Sequence, residues 1–141
     1  MSRFEALLLH LSTGLVGGTG LVYAWMVYFV RPTDPYAVVN HPWQPHVQHL
    51  HVLVAPLLVF AAGLIWKRHI WAGVTAKNRP SRRTGLTLAL SFVPMVASGY
   101  LLQTAVEPGW RKAWVIVHLT ASALWLLGYL AHGIQAWRGR A

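Results

Sequence analysis

The sequence has no cysteine and very few acidic residues. The absence of cysteine excludes disulfides, thiolate metal sites, cysteine-ligated iron–sulfur clusters and covalent attachment of a c-type haem. Only three acids, Glu5, Asp34 and Glu107, stand against 12 lysines and arginines, and charged residues make up 11% of the chain. A soluble domain usually carries about a quarter charged residues. Water is therefore not the main solvent of this protein.

Four apolar stretches predict four membrane-spanning helices. Three are uncharged, over 6–30, 84–106 and 113–137, and a further one covers about 47–66. A bilayer core of about 30 Å requires about 20 helical residues, so each stretch is long enough. The first is too long for a signal peptide, and we expect it to be retained. We predict an all-α, single transmembrane domain over 1–141, with helices at about 5–30, 47–71, 84–106 and 112–138.

The distribution of lysine and arginine predicts the orientation. With the N-terminus inside, nine basic residues lie on the inner side (Arg3, Lys67, Arg68, Lys77, Arg79, Arg82, Arg83, Arg138, Arg140) and three on the outer side (Arg31, Arg111, Lys112). The positive-inside rule then places both termini and the 67–83 loop in the cytoplasm, and argues against nucleic-acid binding. Because the connections are short, we expect an up-down-up-down four-helix bundle.

Eight histidines are many for so apolar a chain, and an ionisable residue inside a membrane indicates a functional site. His118 and His132 of helix four are 14 residues apart, so both face one side, roughly 21 Å apart along the axis. His10 of helix one lies at the depth of His132, near the cytoplasmic end. His49 and His51 of helix two lie near the outer end, at the depth of His118. They point about 200° apart, so only one can face the bundle interior.

His51 is the better candidate of these two, because the small residues Ala55 and Ala62 continue its face and leave room. The histidines then form two pairs, His51 with His118 outside and His10 with His132 inside. Two imidazoles aimed from facing helices at one gap are what bis-histidine ligation of a haem iron requires.

Several alternatives remain open. His49 is the other possible outer ligand, and His69, which shares a face with His51, is a further one. The glycines of helix one, Gly14, Gly17, Gly18 and Gly20, make room either for a flat macrocycle or for close helix packing. The histidines also suit a proton or metal-ion transporter, although the spans contain no Asp or Glu, or a structural membrane subunit without cofactor.

The pattern resembles the four-helix di-haem cytochrome b subunits of membrane-bound formate dehydrogenases and nickel–iron hydrogenases, and related small bacterial cytochromes b. In that family helix four carries two haem-ligating histidines 14 residues apart, which His118 and His132 match. Its inner haem takes a ligand from helix one, matched by His10, and its outer haem one from the start of helix two, matched by His51. The resemblance covers nearly the whole chain, through topology and four residues. Such subunits are commonly longer than this chain.

The resemblance implies two b-type haems and electron transfer between a quinone pool and a redox partner, in the bacterial inner membrane. The partner is expected at the outer, periplasmic face and would be a protein such as a multihaem cytochrome c or an iron–sulfur protein. The chain would then be an electron-transfer subunit of an oxidoreductase complex, not a complete enzyme. The first candidates for a quinone site are His69, Asn78 and the 67–83 loop.

Overall fold

The computed structural model describes residues 1–76 and 81–138, and within these ranges the chain forms helices and turns without a β-strand. The helices are α1 (Arg3–Tyr28), α2 (Gln44–Ile65), a π-helical turn (Trp66–Trp71), α3 (Ala72–Thr75), α4 (Arg82–Thr104) and α5 (Pro108–Arg138). For the described residues, the prediction of an all-α chain is confirmed. In this described part of the chain, four segments are long and apolar enough to cross a membrane: Arg3–Tyr28, Gln44–Thr75, Arg82–Thr104 and Pro108–Arg138.

Side-chain caps fix the first residue of two helices. At the start of α1, Ser2 and Glu5 form a capping box, in which the Glu5 backbone N–H donates to Ser2 Oγ (3.1 Å) and the Ser2 N–H donates to Glu5 Oε2 (2.6 Å). Ahead of α5, the Glu107 carboxylate accepts the backbone N–H groups of Trp110 (2.7 Å) and Gly109 (2.8 Å). These bonds satisfy amides that have no partner within the helix.

The second membrane-length segment is longer than the sequence predicts. It begins at Gln44, with Pro45 in its first turn, where a missing backbone N–H costs nothing. Its helical backbone continues through the π-helical turn to Thr75, so part of the predicted 67–83 loop is helical. Asn78, Lys77 and Arg79 of that loop, and Arg140 near the C-terminus, lie outside the described residues.

The chain divides into two compact units, Met1–Trp66 and Lys67–Ala141. In the first unit α1 packs against α2, and in the second α4 packs against α5. His10 and His51 belong to the first unit, whereas His118 and His132 belong to the second. The bundle topology and the orientation in the membrane stay predictions.

The outer surfaces of the helices are apolar, and several hydroxyl side chains are buried inside each unit. Many leucines point outward, such as Leu53 (76% exposed) and Leu127 (65%), whereas Ser12, Ser91 and Ser98 are 2%, 5% and 1% exposed. Small and hydroxyl side chains let membrane helices approach closely, and so much exposed apolar surface is unfavourable in water. This distribution is that of helices whose outer surfaces face lipid.

Candidate functional site: three histidines held through Nδ1

His51 is half-buried on α2 and packs against α1 in the first unit. Its Nδ1 lies 3.1 Å from Thr19 Oγ1. The Thr19 hydroxyl has a single proton, which it donates to the Leu15 carbonyl at 2.7 Å, one turn back in its own helix. The oxygen therefore offers His51 a lone pair. We assign the ring proton of His51 to Nδ1, which leaves the lone pair of the neutral imidazole on Nε2.

His118 is held in the same way in the second unit, by α4. Its Nδ1 lies 3.0 Å from the carbonyl oxygen of Met95 and 3.3 Å from Ser98 Oγ. A carbonyl can only accept, and the Ser98 hydroxyl already donates to the Pro94 carbonyl at 2.5 Å. Both neighbours therefore require the proton on Nδ1 of His118, and again Nε2 carries the lone pair.

His132, two heptads further along α5, repeats the arrangement. Its Nδ1 lies 3.1 Å from Thr84 Oγ1. The Thr84 hydroxyl has acceptors for its proton in the Ser81 carbonyl and Gln135 Oε1, each at 3.0 Å. The proton of His132 is therefore also assigned to Nδ1.

The register of α4 against α5 explains why both histidines of α5 meet a hydroxyl. Two series recur every seven residues: Thr84, Ser91 and Ser98 on α4, and His118, Trp125 and His132 on α5. The contacts Thr84–His132 and Ser98–His118 run antiparallel and keep both series in one register. A seven-residue repeat holds one seam of a helix against its partner.

The middle of this seam is filled by aromatic rings. Trp125 is buried, its ring centroid lies 6.4 Å from that of Phe92 on α4, and it stacks on Tyr129 at 5.6 Å. Trp125 and Tyr129 therefore lie between His118 and His132 along α5.

The other candidate histidines have different surroundings. His10 lies on α1 and is exposed, and His49 is an exposed residue of α2. His69 lies in the π-helical turn, and its ring meets that of His132 edge to face, with centroids 6.2 Å apart. π-Helical turns inside helices are frequent at functional sites. The ligand roles predicted for His10, His51, His118 and His132 stay predictions, because each predicted pair joins the first unit to the second.

The helix-one glycines differ from one another in what they contact. A Cβ at Gly20 would lie 2.9 Å from His51 Cε1, whereas a Cβ at Gly14 or Gly18 would meet nothing within 4 Å. Gly20 therefore serves close packing of an imidazole. Beside Gly14, the Thr13 hydroxyl is buried without a hydrogen-bond partner among the described residues.

The hydroxyl partners of the histidines were not predicted from the sequence. The prediction considered histidines alone, and α4, which supplies two of the three hydroxyls, contains no histidine. The shared seven-residue spacing of hydroxyls on α4 and of His118, Trp125 and His132 on α5 would have indicated the partners on α4.

The role of Asn40 was also not predicted. Its side-chain amide donates to the Val27 carbonyl at 2.7 Å and so attaches the 31–43 connection to the end of α1.

Within the described ranges, no three or more His, Asp or Glu side chains gather into a group that could hold a metal ion. A haem iron takes only two ligands from the protein. Comparison of the chain with protein-family models, with curated proteins and with solved structures gives no match.

Proposed function

We propose that this chain is a membrane-embedded di-haem b-type cytochrome subunit, which passes electrons between a redox partner and the quinone pool. One observation carries the proposal. His51, His118 and His132 are each held through Nδ1 by a hydroxyl or carbonyl oxygen of the neighbouring helix. A histidine that binds a metal almost always donates its other ring N–H to a carboxylate, a backbone carbonyl or water, which fixes its tautomer and orientation, and a hydroxyl oxygen accepts such a bond in the same way.

The donor set fits haem. The ring tautomer assigned to all three residues presents Nε2 as the electron-pair donor that an iron axial position takes. Neutral imidazoles also avoid the cost of burying a charge in a membrane. Because the chain has no cysteine, the haem would be held without covalent attachment, which is the b-type arrangement.

Each ligand would have a defined place. His51 and His118 would hold an outer haem, and His10 and His132 an inner one. Since His118 and His132 lie on one face of α5, roughly 21 Å apart along its axis, a single helix would contribute to both sites at different depths. When bound, the haems supply the one-electron redox chemistry; the helices supply ligation, spacing and exclusion of water.

The proposal includes the membrane and the partners. Both termini would be cytoplasmic in a bacterial inner membrane, on the bias of nine inner to three outer basic residues. The redox partner would dock at the periplasmic face. A quinone would bind at the inner side, where His69 already lies against His132.

The test is an absorption spectrum of the purified chain with a haem count. Sharp reduced b-type bands and two haems per chain are expected. A preparation that lacks these bands after expression with ample haem would contradict the proposal. A histidine-based transporter and a structural subunit both lack the bands, so the same spectrum separates all three functions.

A further inference from the structure

The same two-residue unit contacts each of the three histidines. Thr19-Gly20 meets His51, Thr84-Gly85 meets His132 and Ser98-Gly99 meets His118. In each case the hydroxyl oxygen lies 3.1–3.3 Å from Nδ1 and the following glycine faces the ring carbon Cε1. These three hydroxyl–glycine dipeptides, here called the positioning dipeptides, lie on two helices and in both units.

Steric access explains why the second residue of each positioning dipeptide is glycine. A helical side chain leans toward the N-terminus and covers the preceding turn, so a residue without one leaves the carbonyl four residues earlier accessible. Gly99 uncovers Met95 O, which accepts from His118 Nδ1 at 3.0 Å. A Cβ at Gly99 would lie 3.2 Å from His118 Cε1, closer than ordinary contact. Gly99 thus lets the His118 ring reach the Ser98 hydroxyl and the backbone together, whereas the rings beside Gly20 and Gly85 reach a hydroxyl.

The sequence holds a fourth hydroxyl–glycine dipeptide, Thr13-Gly14, which among the described residues holds no histidine through its hydroxyl or its glycine. Nothing lies within 4 Å of a Cβ at Gly14, and the Thr13 hydroxyl is buried without a partner among the described residues. The dipeptide by itself is therefore no site. Its effect depends on the imidazole that a neighbouring helix brings to it, and Thr13 provides a control in the same helix as Thr19.

We propose that Thr19-Gly20, Thr84-Gly85 and Ser98-Gly99 are positioning elements that fix the tautomer and ring plane of His51, His132 and His118 for axial ligation of haem. This inference rests on the proposed function. None of the six residues touches the iron; each acts through the histidine it holds. Donation from Nδ1–H raises the basicity of the ligand nitrogen, which favours ferric over ferrous iron. Each positioning dipeptide therefore lowers the midpoint potential of its haem.

If these hydrogen bonds served only helix packing, their loss would have different consequences. It would weaken packing but leave the ring tautomer and the midpoint potential of the bound haem unchanged. The two roles are separated by measuring ring-nitrogen chemical shifts and potentials as well as stability.

The experiment uses ¹⁵N-histidine NMR of the reduced protein in lipid bilayers, with redox titration and haem counting. Thr19→Val removes the hydroxyl at constant shape, Thr19→Ser restores it, and Thr13→Val removes the unpartnered hydroxyl of the same helix. In Thr19→Val we expect a changed Nδ1–H resonance of His51, a 10–100-fold loss of affinity for the outer haem and a higher midpoint potential. Thr19→Ser and Thr13→Val should behave as the wild type.

A second pair of variants tests the same inference if Thr19→Val fails to fold. Ser98→Ala removes the hydroxyl that contacts His118, and Ser91→Ala removes a buried hydroxyl of the same helix that also bonds to its own backbone. Because Met95 O still accepts from His118 Nδ1, Ser98→Ala should shift the His118 resonance and raise the outer potential by less than Thr19→Val does through His51. Ser91→Ala should alter neither.

Two results would overturn the inference. The first is a wild-type spectrum with the proton on Nε2 of His51 or His118, and the second is a Thr19→Val protein that matches Thr13→Val in resonance and potential. A wild type without haem would instead overturn the proposed function. The tautomer, measured on the same sample, would still decide whether the dipeptides hold the rings.

Discussion

Replacing Gly20 with alanine is expected to displace the His51 ring. The new Cβ would lie 2.9 Å from Cε1, so the ring must retreat by about half an ångström to reach ordinary contact at about 3.4 Å. Its 3.1 Å bond to Thr19 would lengthen with it. Overpacking costs about 1–3 kcal/mol, and the higher helix propensity of alanine offsets about 1 kcal/mol. The net loss should be up to about 2 kcal/mol.

The other positioning glycines give a graded series. A Cβ at Gly99 would lie 3.2 Å from His118 Cε1, and at Gly85 3.7 Å from His132 Cε1, an ordinary contact. Gly99→Ala should therefore be mildly unfavourable and Gly85→Ala neutral or stabilising by up to about 1 kcal/mol. Gly63→Ala, where a Cβ meets nothing within 4 Å, is the control.

Unfolding in mixed detergent micelles measures this stability series, and haem per chain measures its effect on the site. Gly20→Ala should be the least stable variant and should lose the most outer haem. A Gly20→Ala protein as stable as Gly63→Ala would refute the packing argument, whatever its haem content.

Three further predictions concern orientation, ligand choice and a helix cap. A reporter fused after Ala141 should be active only in the cytoplasm, because the C-terminus is expected there. Activity only in the periplasm would show that the predicted orientation is wrong. His51→Ala should lose about half of the haem and His49→Ala none, whereas the opposite pattern would exchange the two assignments. Backbone N–H groups of Trp110 and Gly109 hold the pKa of Glu107 below its ordinary 4.5, so its capping contribution is present above that value and lost as pH falls through the lower, folded-state pKa. The Tm of the wild type should therefore fall toward that of Glu107→Gln in acid, and an unchanged difference between the two at all pH values would count against the cap.

Periodicity of 3.6 residues was enough to predict that His118 and His132 share a face of the fourth membrane-length helix, α5. Both contact α4, and so does Trp125 between them, because residues seven apart return to the same side. Length and hydropathy likewise predicted four segments able to cross a membrane. These properties belong to single helices, so the sequence of one segment is sufficient.

Properties that depend on two helices or on backbone detail were not predicted. The bond between His51 and Thr19 requires the register of α2 against α1, which neither segment specifies alone. The register of α4 against α5 could have been predicted from the seven-residue spacing of Thr84, Ser91 and Ser98. In the π-helical turn at Trp66–Trp71 each hydrogen bond spans one residue more than in an α-helix, and no residue type marks such a turn in the sequence.

The most direct test of the central claim is the haem content of four single variants, His10→Ala, His51→Ala, His118→Ala and His132→Ala, measured beside the wild type with redox titration. The wild type should hold two haems per chain in two resolved components, and each variant should hold one. His51→Ala and His118→Ala should lose the same component, and His10→Ala and His132→Ala the other. One haem per chain in the wild type, or a His10→Ala protein that retains both, would contradict the account.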